Sequence, residues 1–93
     1  MHVVFIYKPG PKWIKHKSIF EQPLDEHISY MNKLERAGTL RLGGPFTDSS
    51  GAIGILRASL SEAEYLIAND PAIRHQIMSA ELHPWSVSVA KAI

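Results

Sequence analysis

The sequence predicts an α+β domain whose elements run strand, helix, strand, strand, helix, strand. Three observations carry this expectation. Apolar residues alternate through Val3, Phe5 and Tyr7; apolar residues recur at helical spacing from Leu24; and two further apolar runs flank the polar, glycine-closed stretch Thr47-Asp48-Ser49-Ser50-Gly51 before a second amphipathic segment.

Each element follows in order. In the first strand the alternate residues Val4 and Ile6 are also apolar, which suits a strand covered on both faces and therefore central. Residues 9–22 contain Pro9, Gly10 and Pro11 and read as a non-helical loop, with Trp13, Ile14 and Phe20 as apolar anchors. The first helix is expected to start at Pro23, a residue suited to a first helical position, with Asp25 and Glu26 at the positive end of its dipole. Gly38 ends it. Thr39 to Phe46 and Ala52 to Ala58 form a hairpin across the 47–51 loop. Ser61 and Glu64 read as a capping box for the second helix, which Asp70-Pro71 is expected to end. In the last strand apolar residues move from even positions (Ala80, Leu82) to odd ones (Trp85, Val87, Val89), and Pro84 at the change predicts a bulge or kink near an edge or an interface.

Ninety-three residues fit one domain, 1–93. A chain of this size buries only about 60 to 65% of its unfolded surface, which favours sharing a core with a second copy. A sheet with both helices on one face leaves the other to be covered, and two copies placed face to face would cover it; a homodimer is the expectation. There is no cysteine, so neither a disulfide framework nor a thiolate metal site is expected. No apolar run reaches the length of a leader core or a membrane span, and a cytoplasmic location without membrane contact is expected. The formal net charge of +1 supplies no basic stripe for nucleic acid. Phosphate-loop, dinucleotide and serine-elbow motifs do not occur, and His2, His16 and His75 lack ligand-like spacing; no cofactor and no metal are expected.

Two residues break the apolar pattern. On a helical projection His27 falls on the stripe of Leu24, Ile28, Met31, Leu34 and Glu35, opposite Asp25, Ser29, Asn32, Lys33 and Arg36. Asp70 shares a face with Ala63, Leu66 and Ile67. Burying an imidazole or a carboxylate alone is costly, and each is the obvious partner of the other. A histidine held by a carboxylate can serve as a general base near neutral pH, so His27 and Asp70 are the candidate catalytic residues. Gly43 and Gly44, ahead of Pro45, leave room against a strand for a ligand or for close packing. Gly44, Pro45, Tyr7 and Trp13 are the candidate substrate contacts. Trp13 would dock the loop as a lid, with Lys12, Lys15 and Lys17 drawing an anionic ligand; the plainer reading is a solvated loop pinned by one tryptophan.

The order and spacing of three stretches resemble the YciI-like (YCII-related) family: DEHISYMNKLERAGTLRLGGP, then SSGAIGILRASLSEAEYLIANDP, then ELHPW. The resemblance spans residues 24–85. It implies a ferredoxin-like fold, βαββαβ, whose four-stranded antiparallel sheet carries two helices on one face and pairs with a second copy as a dimeric α+β barrel. It also implies that His27 and Asp70 form a catalytic pair. Many relatives have a glycine where this chain has Gln76, and the 9–22 stretch exceeds that of the shortest relatives, which suggests an added loop. Around this fold the resemblance reaches lactone isomerases and a dehydrochlorinase of chlorinated hydroxyquinols. The reading is therefore a small cofactor-free isomerase or lyase acting on a phenolic or cyclic compound, including an anionic one. Two alternatives stand beside it: a non-catalytic dimeric module that binds a small molecule or a partner, and a purely structural domain. An enzyme requires the His27–Asp70 pair to face an open pocket, a binding module requires only the pocket, and a structural domain would seal the pair in its core.

Overall fold

The computed structural model describes residues 1–91. Its sheet has four antiparallel strands in the order β2-β3-β1-β4, formed by β1 (His2–Pro9), β2 (Leu40–Pro45), β3 (Ala52–Leu56) and β4 (Met78–Trp85). The helices α1 (Asp25–Arg36), α2 (Leu60–Ala68) and α3 (Pro71–Arg74) pack on one face, giving the ferredoxin-like α+β arrangement. Strand β1 is central, as its two apolar faces demand: Val3, Phe5 and Tyr7 are buried under the helices, while Val4 and Ile6 lie half-buried on the opposite face. Around them Leu24, Leu34, Leu56, Ala63, Ile67, Ala72 and Met78 complete the core.

Four boundaries differ from the sequence expectation, each for a local reason. Pro23 precedes α1: the Leu24 N–H still turns back to the Gln22 carbonyl (2.8 Å), and the helical ladder opens with Ile28 N–H on the Leu24 carbonyl (2.9 Å). The capping box of α2 is Ser59 with Glu62 rather than Ser61 with Glu64. The sequence offers two overlapping Ser-x-x-Glu pairs, and the earlier one is used because β3 ends at Leu56. Asp70 does not close α2 but caps the N-terminus of α3, its carboxylate accepting Ala72 N–H (3.0 Å), with Pro71 at the first helical position. No kink occurs at Pro84, since β4 pairs with β1 without interruption from His2↔Trp85 to Pro9↔Met78. The apolar phase change has a simpler origin. Leu82 pairs with Phe5 and faces the helices, Trp85 pairs with His2 and faces away, and β4 is an edge strand that tolerates proline. The irregularity lies instead in β2, between Leu40 and Leu42.

Two glycines serve distinct needs. Gly38, at φ 82°, ends α1 with paired bonds from Gly38 N–H to the Glu35 carbonyl (2.9 Å) and from Thr39 N–H to the Leu34 carbonyl (3.0 Å). Gly54 pairs with Phe5 and Gly43, and the Phe5 ring lies directly over it: a Cβ there would sit 2.1 Å from the ring. Gln76, where many YciI-like chains have glycine, takes the left-handed φ of 61° that glycine adopts without cost.

The face away from the helices carries Val4, Ile6, Leu42, Ile53, Ile55 and Trp85, of which Leu42 is 55% exposed and Trp85 41%. Among the described residues no helix is long and apolar enough to cross a membrane.

Gly54→Ala is expected to cost about 1–3 kcal/mol through overpacking against Phe5, measured as a lowered denaturation midpoint. An unchanged midpoint would mean that the ring swings aside freely.

Candidate active site

A cleft of about 540 Å³ opens between α1 and the β2 edge of the sheet. Its existence follows from missing side chains. Gly43 and Gly54 are cross-strand partners on the helix-facing side; Phe5 covers Gly54, while a Cβ on Gly43 would meet the Leu40 side chain only at ordinary contact distance, 3.4 Å. The walls are His27, Ile28, Met31 and Glu35 of α1, Leu40 to Pro45 of β2, and Ile19, Phe20, Gln22 and Leu24 of the incoming segment; Phe5, Tyr7, Ala52 and Met78 also line it. The helical stripe of the sequence is thus only partly core. Leu24 and Leu34 are buried, whereas Ile28 is 54% exposed on the cleft.

At one end stand the two residues that broke the apolar pattern. His27 Nδ1 lies 2.8 Å from Asp70 Oδ2 and 3.0 Å from Oδ1. Asp70 is fully buried, and the His27 side chain keeps 16% of its surface exposed and lines the cleft. With Nδ1 engaged, Nε2 is the ring nitrogen left for the cleft. The carboxylate has two further donors: the Tyr7 hydroxyl reaches Oδ2 at 2.6 Å, and Ala72 N–H reaches Oδ1 at 3.0 Å. Three elements therefore converge on one buried charge, which makes it tolerable. Burial, then the charge and hydrogen bond of Asp70, then Tyr30, push the Tyr7 phenol far above the ordinary tyrosine range, so Tyr7 remains a donor. Tyr30, whose hydroxyl donates to the Leu66 carbonyl (2.8 Å), is shifted upward by burial and then by Asp70 and Tyr65.

Gly44 and Pro45 line the cleft, and a Cβ on Gly44 would meet nothing within 4 Å. Tyr7 lines it too, although its hydroxyl is spent on Asp70. Trp13 is not brought there. It packs half-buried against the core, and Lys12, Lys15 and Lys17 are exposed and away from the lining. The loop reaches the cleft through its other end, the 3-10 turn Ile19–Glu21. Buried Gln22 fixes that end: its amide accepts Ile14 N–H (2.8 Å) and donates to the Ile14 and Lys17 carbonyls (2.9 and 3.2 Å). The role of Gln22 was not apparent from the sequence, where a lone glutamine beside proline carries no signal. Asp25, Glu35 and Arg41 are the charged lining residues, so the cleft is mostly apolar with charges along α1 and β2. Among the described residues no group of three or more His, Cys, Asp or Glu is placed to hold a metal ion.

No family model matches the sequence, and a comparison with curated proteins finds no match. Among solved structures the chain is similar to the 5-chloro-2-hydroxyhydroquinone dehydrochlorinase of Burkholderia phenoliruptrix AC1100, in complex with 2,5-dihydroxybenzoquinone. The TM-score is 0.68 at 19% identity, over 95% of this chain and 96% of that one, a likeness of fold.

The Tyr7 shift gives a pH dependence. The folded protein retains the Tyr7 proton above pH 10.0, where an unfolded tyrosine releases it, so the corresponding stabilisation is complete below that pH and declines as pH rises. Denaturant titrations across this range are expected to show a smaller alkaline loss in Tyr7→Phe than in the parent. Equal losses would show that Tyr7 ionises normally in the folded chain.

Proposed function

We propose that this chain is an acid–base enzyme of the YciI-like family, a cytoplasmic homodimer that isomerises or eliminates from a small phenolic or cyclic compound. His27 is the general acid/base, and Asp70 orients its ring. The observation that carries this reading is the asymmetry of the pair: Asp70 is sealed from solvent, while His27 bonds to it at 2.8 Å and lines an open cleft. A merely structural pair has no need of the opening. An acid–base pair has, because the base must reach its proton within about 2.6 to 3.2 Å, directly or through one water.

In this reading the chain's residues divide the work. Asp70 accepts a hydrogen bond from Nδ1–H and thereby keeps the Nε2 lone pair toward the cleft, as an orienting carboxylate does for a catalytic imidazole. Nε2 takes a proton from the bound compound and returns it at another atom, or gives it up as a leaving group departs. Phe5, Leu24, Met31 and Met78 line the cleft with apolar groups for a ring, and bare Gly43 on the helix-facing side of β2 leaves it space. The phenolic substrate class rests on the fold likeness to a dehydrochlorinase bound to 2,5-dihydroxybenzoquinone, which makes that compound a suitable probe. The homodimer rests on the apolar outer face of the sheet, which a second copy would cover.

A panel of chlorinated hydroquinones, phenols and lactones would be screened for binding and turnover. Folded His27→Gln is expected to bind within a few-fold of the parent while turnover falls about 10²- to 10⁴-fold, and Asp70→Asn to lose turnover with the orienting charge. Near-parental turnover by folded His27→Gln would remove His27 as the base. For the dimer, sedimentation should give twice the chain mass, and Ile55→Lys, a charge on the outer face, should give the monomer; a monomeric parent at micromolar concentration would refute the association.

A further inference from the structure

We propose that Tyr7 is a positioning residue for this site: by donating to Asp70 Oδ2, its hydroxyl fixes the carboxylate's aim at His27 Nδ1 and moderates its pull on the ring proton. The inference rests on the acid–base reading of the pair and assigns to Tyr7 a role distinct from contact with substrate. The geometry points to it. Tyr7 is fully buried on the central strand, where phenylalanine would fill the same space and leave the sheet intact, so its hydroxyl needs another explanation. That hydroxyl lies 2.6 Å from the carboxylate oxygen that is 2.8 Å from His27 Nδ1, and the Tyr7 and His27 rings lie 5.8 Å apart, centre to centre.

The physical consequence concerns shared charge. A carboxylate that accepts from Tyr7 and from Ala72 N–H has less density to offer the imidazole than one facing His27 alone. A base that must both take and release a proton benefits from that division, because a stronger pull would hold the ring in its charged form. Tyr7 can sustain this role because burial and Asp70 keep its phenol protonated. The other groups facing the pair are Tyr30 on α1, near Asp70, and Asp25, Glu35 and Arg41 along the cleft; Tyr30 directs its hydroxyl to the Leu66 carbonyl.

The test uses the full chain without substrate, so that it stands apart from the turnover test of His27. The His27 ring nitrogens and their bound protons would be observed by NMR at one pH in the parent, in Tyr7→Phe and in the control Tyr30→Phe. In folded Tyr7→Phe the His27 Nδ1-bound proton is expected to move downfield of its parental position, because the carboxylate relieved of one donor draws it harder. Tyr30→Phe should leave that proton where it is in the parent. With an active substrate, Tyr7→Phe should lower kcat and leave KM within about twofold. An unmoved Nδ1-bound proton in folded Tyr7→Phe, or an equal displacement in Tyr30→Phe, would overturn the role. Should Tyr7→Phe fail to fold, the parent decides: a slowly exchanging Tyr7 hydroxyl proton with neutral His27 protonated at Nδ1 supports the proposal, and a neutral ring protonated at Nε2 overturns it.

Discussion

The buried carboxylate of Asp70 is the constraint on which this architecture turns. A charge removed from water must collect hydrogen bonds or cost several kcal/mol, and the donors that meet this one come from three separate elements. Tyr7 is on the central strand, His27 on the first long helix, and Ala72 in the first turn of α3. Satisfying the charge therefore fixes how β1, α1 and α3 sit relative to one another. Apolar packing alone would leave α1 freer to slide over the sheet, since its interior contacts on that side give way to the cleft.

Much of this was legible in the sequence because the residues that matter contradict their surroundings. His27 and Asp70 stood out as polar groups at apolar positions, and the cost of burying either one alone pointed to their pairing. The strands were equally open to reading, for the alternation in β1 and the polar loop at residues 47–51 are strong local signals. The family resemblance rested on the same stretches. The antiparallel four-stranded sheet with helices on one face that it implied for a single chain is the fold found.

What escaped the sequence had no local signature. Asp-Pro reads equally as the close of one helix or the opening of the next; only the direction of the Asp70 carboxylate, toward Ala72 N–H, separates the two. Two overlapping Ser-x-x-Glu pairs were indistinguishable by pattern, and the end of β3 chose between them. The apolar shift at Pro84 was misleading because Val87 and Val89, which supply most of the odd-numbered phase, lie beyond the end of β4 at Trp85, where no strand periodicity applies. Trp13 drew attention by its size, yet the cleft is walled by Ile19 and Phe20, whose position depends on bonds made by Gln22 to chain several residues away. Long-range hydrogen bonding of that sort leaves no periodic trace.

The Gln22 clamp has a thermodynamic consequence for anything that enters the cleft. A loop that closed only upon binding would charge its lost conformational freedom against affinity, at about 1–2 kcal/mol for each backbone residue fixed. Here three bonds from one buried amide settle the segment while the protein folds, so the wall bearing Ile19 and Phe20 is in place beforehand. Phe20 keeps 78% of its surface in water under this arrangement. The apolar area it can still bury is thus held in reserve on a rigid mount, and covering it would add to binding without an ordering cost of the chain behind it.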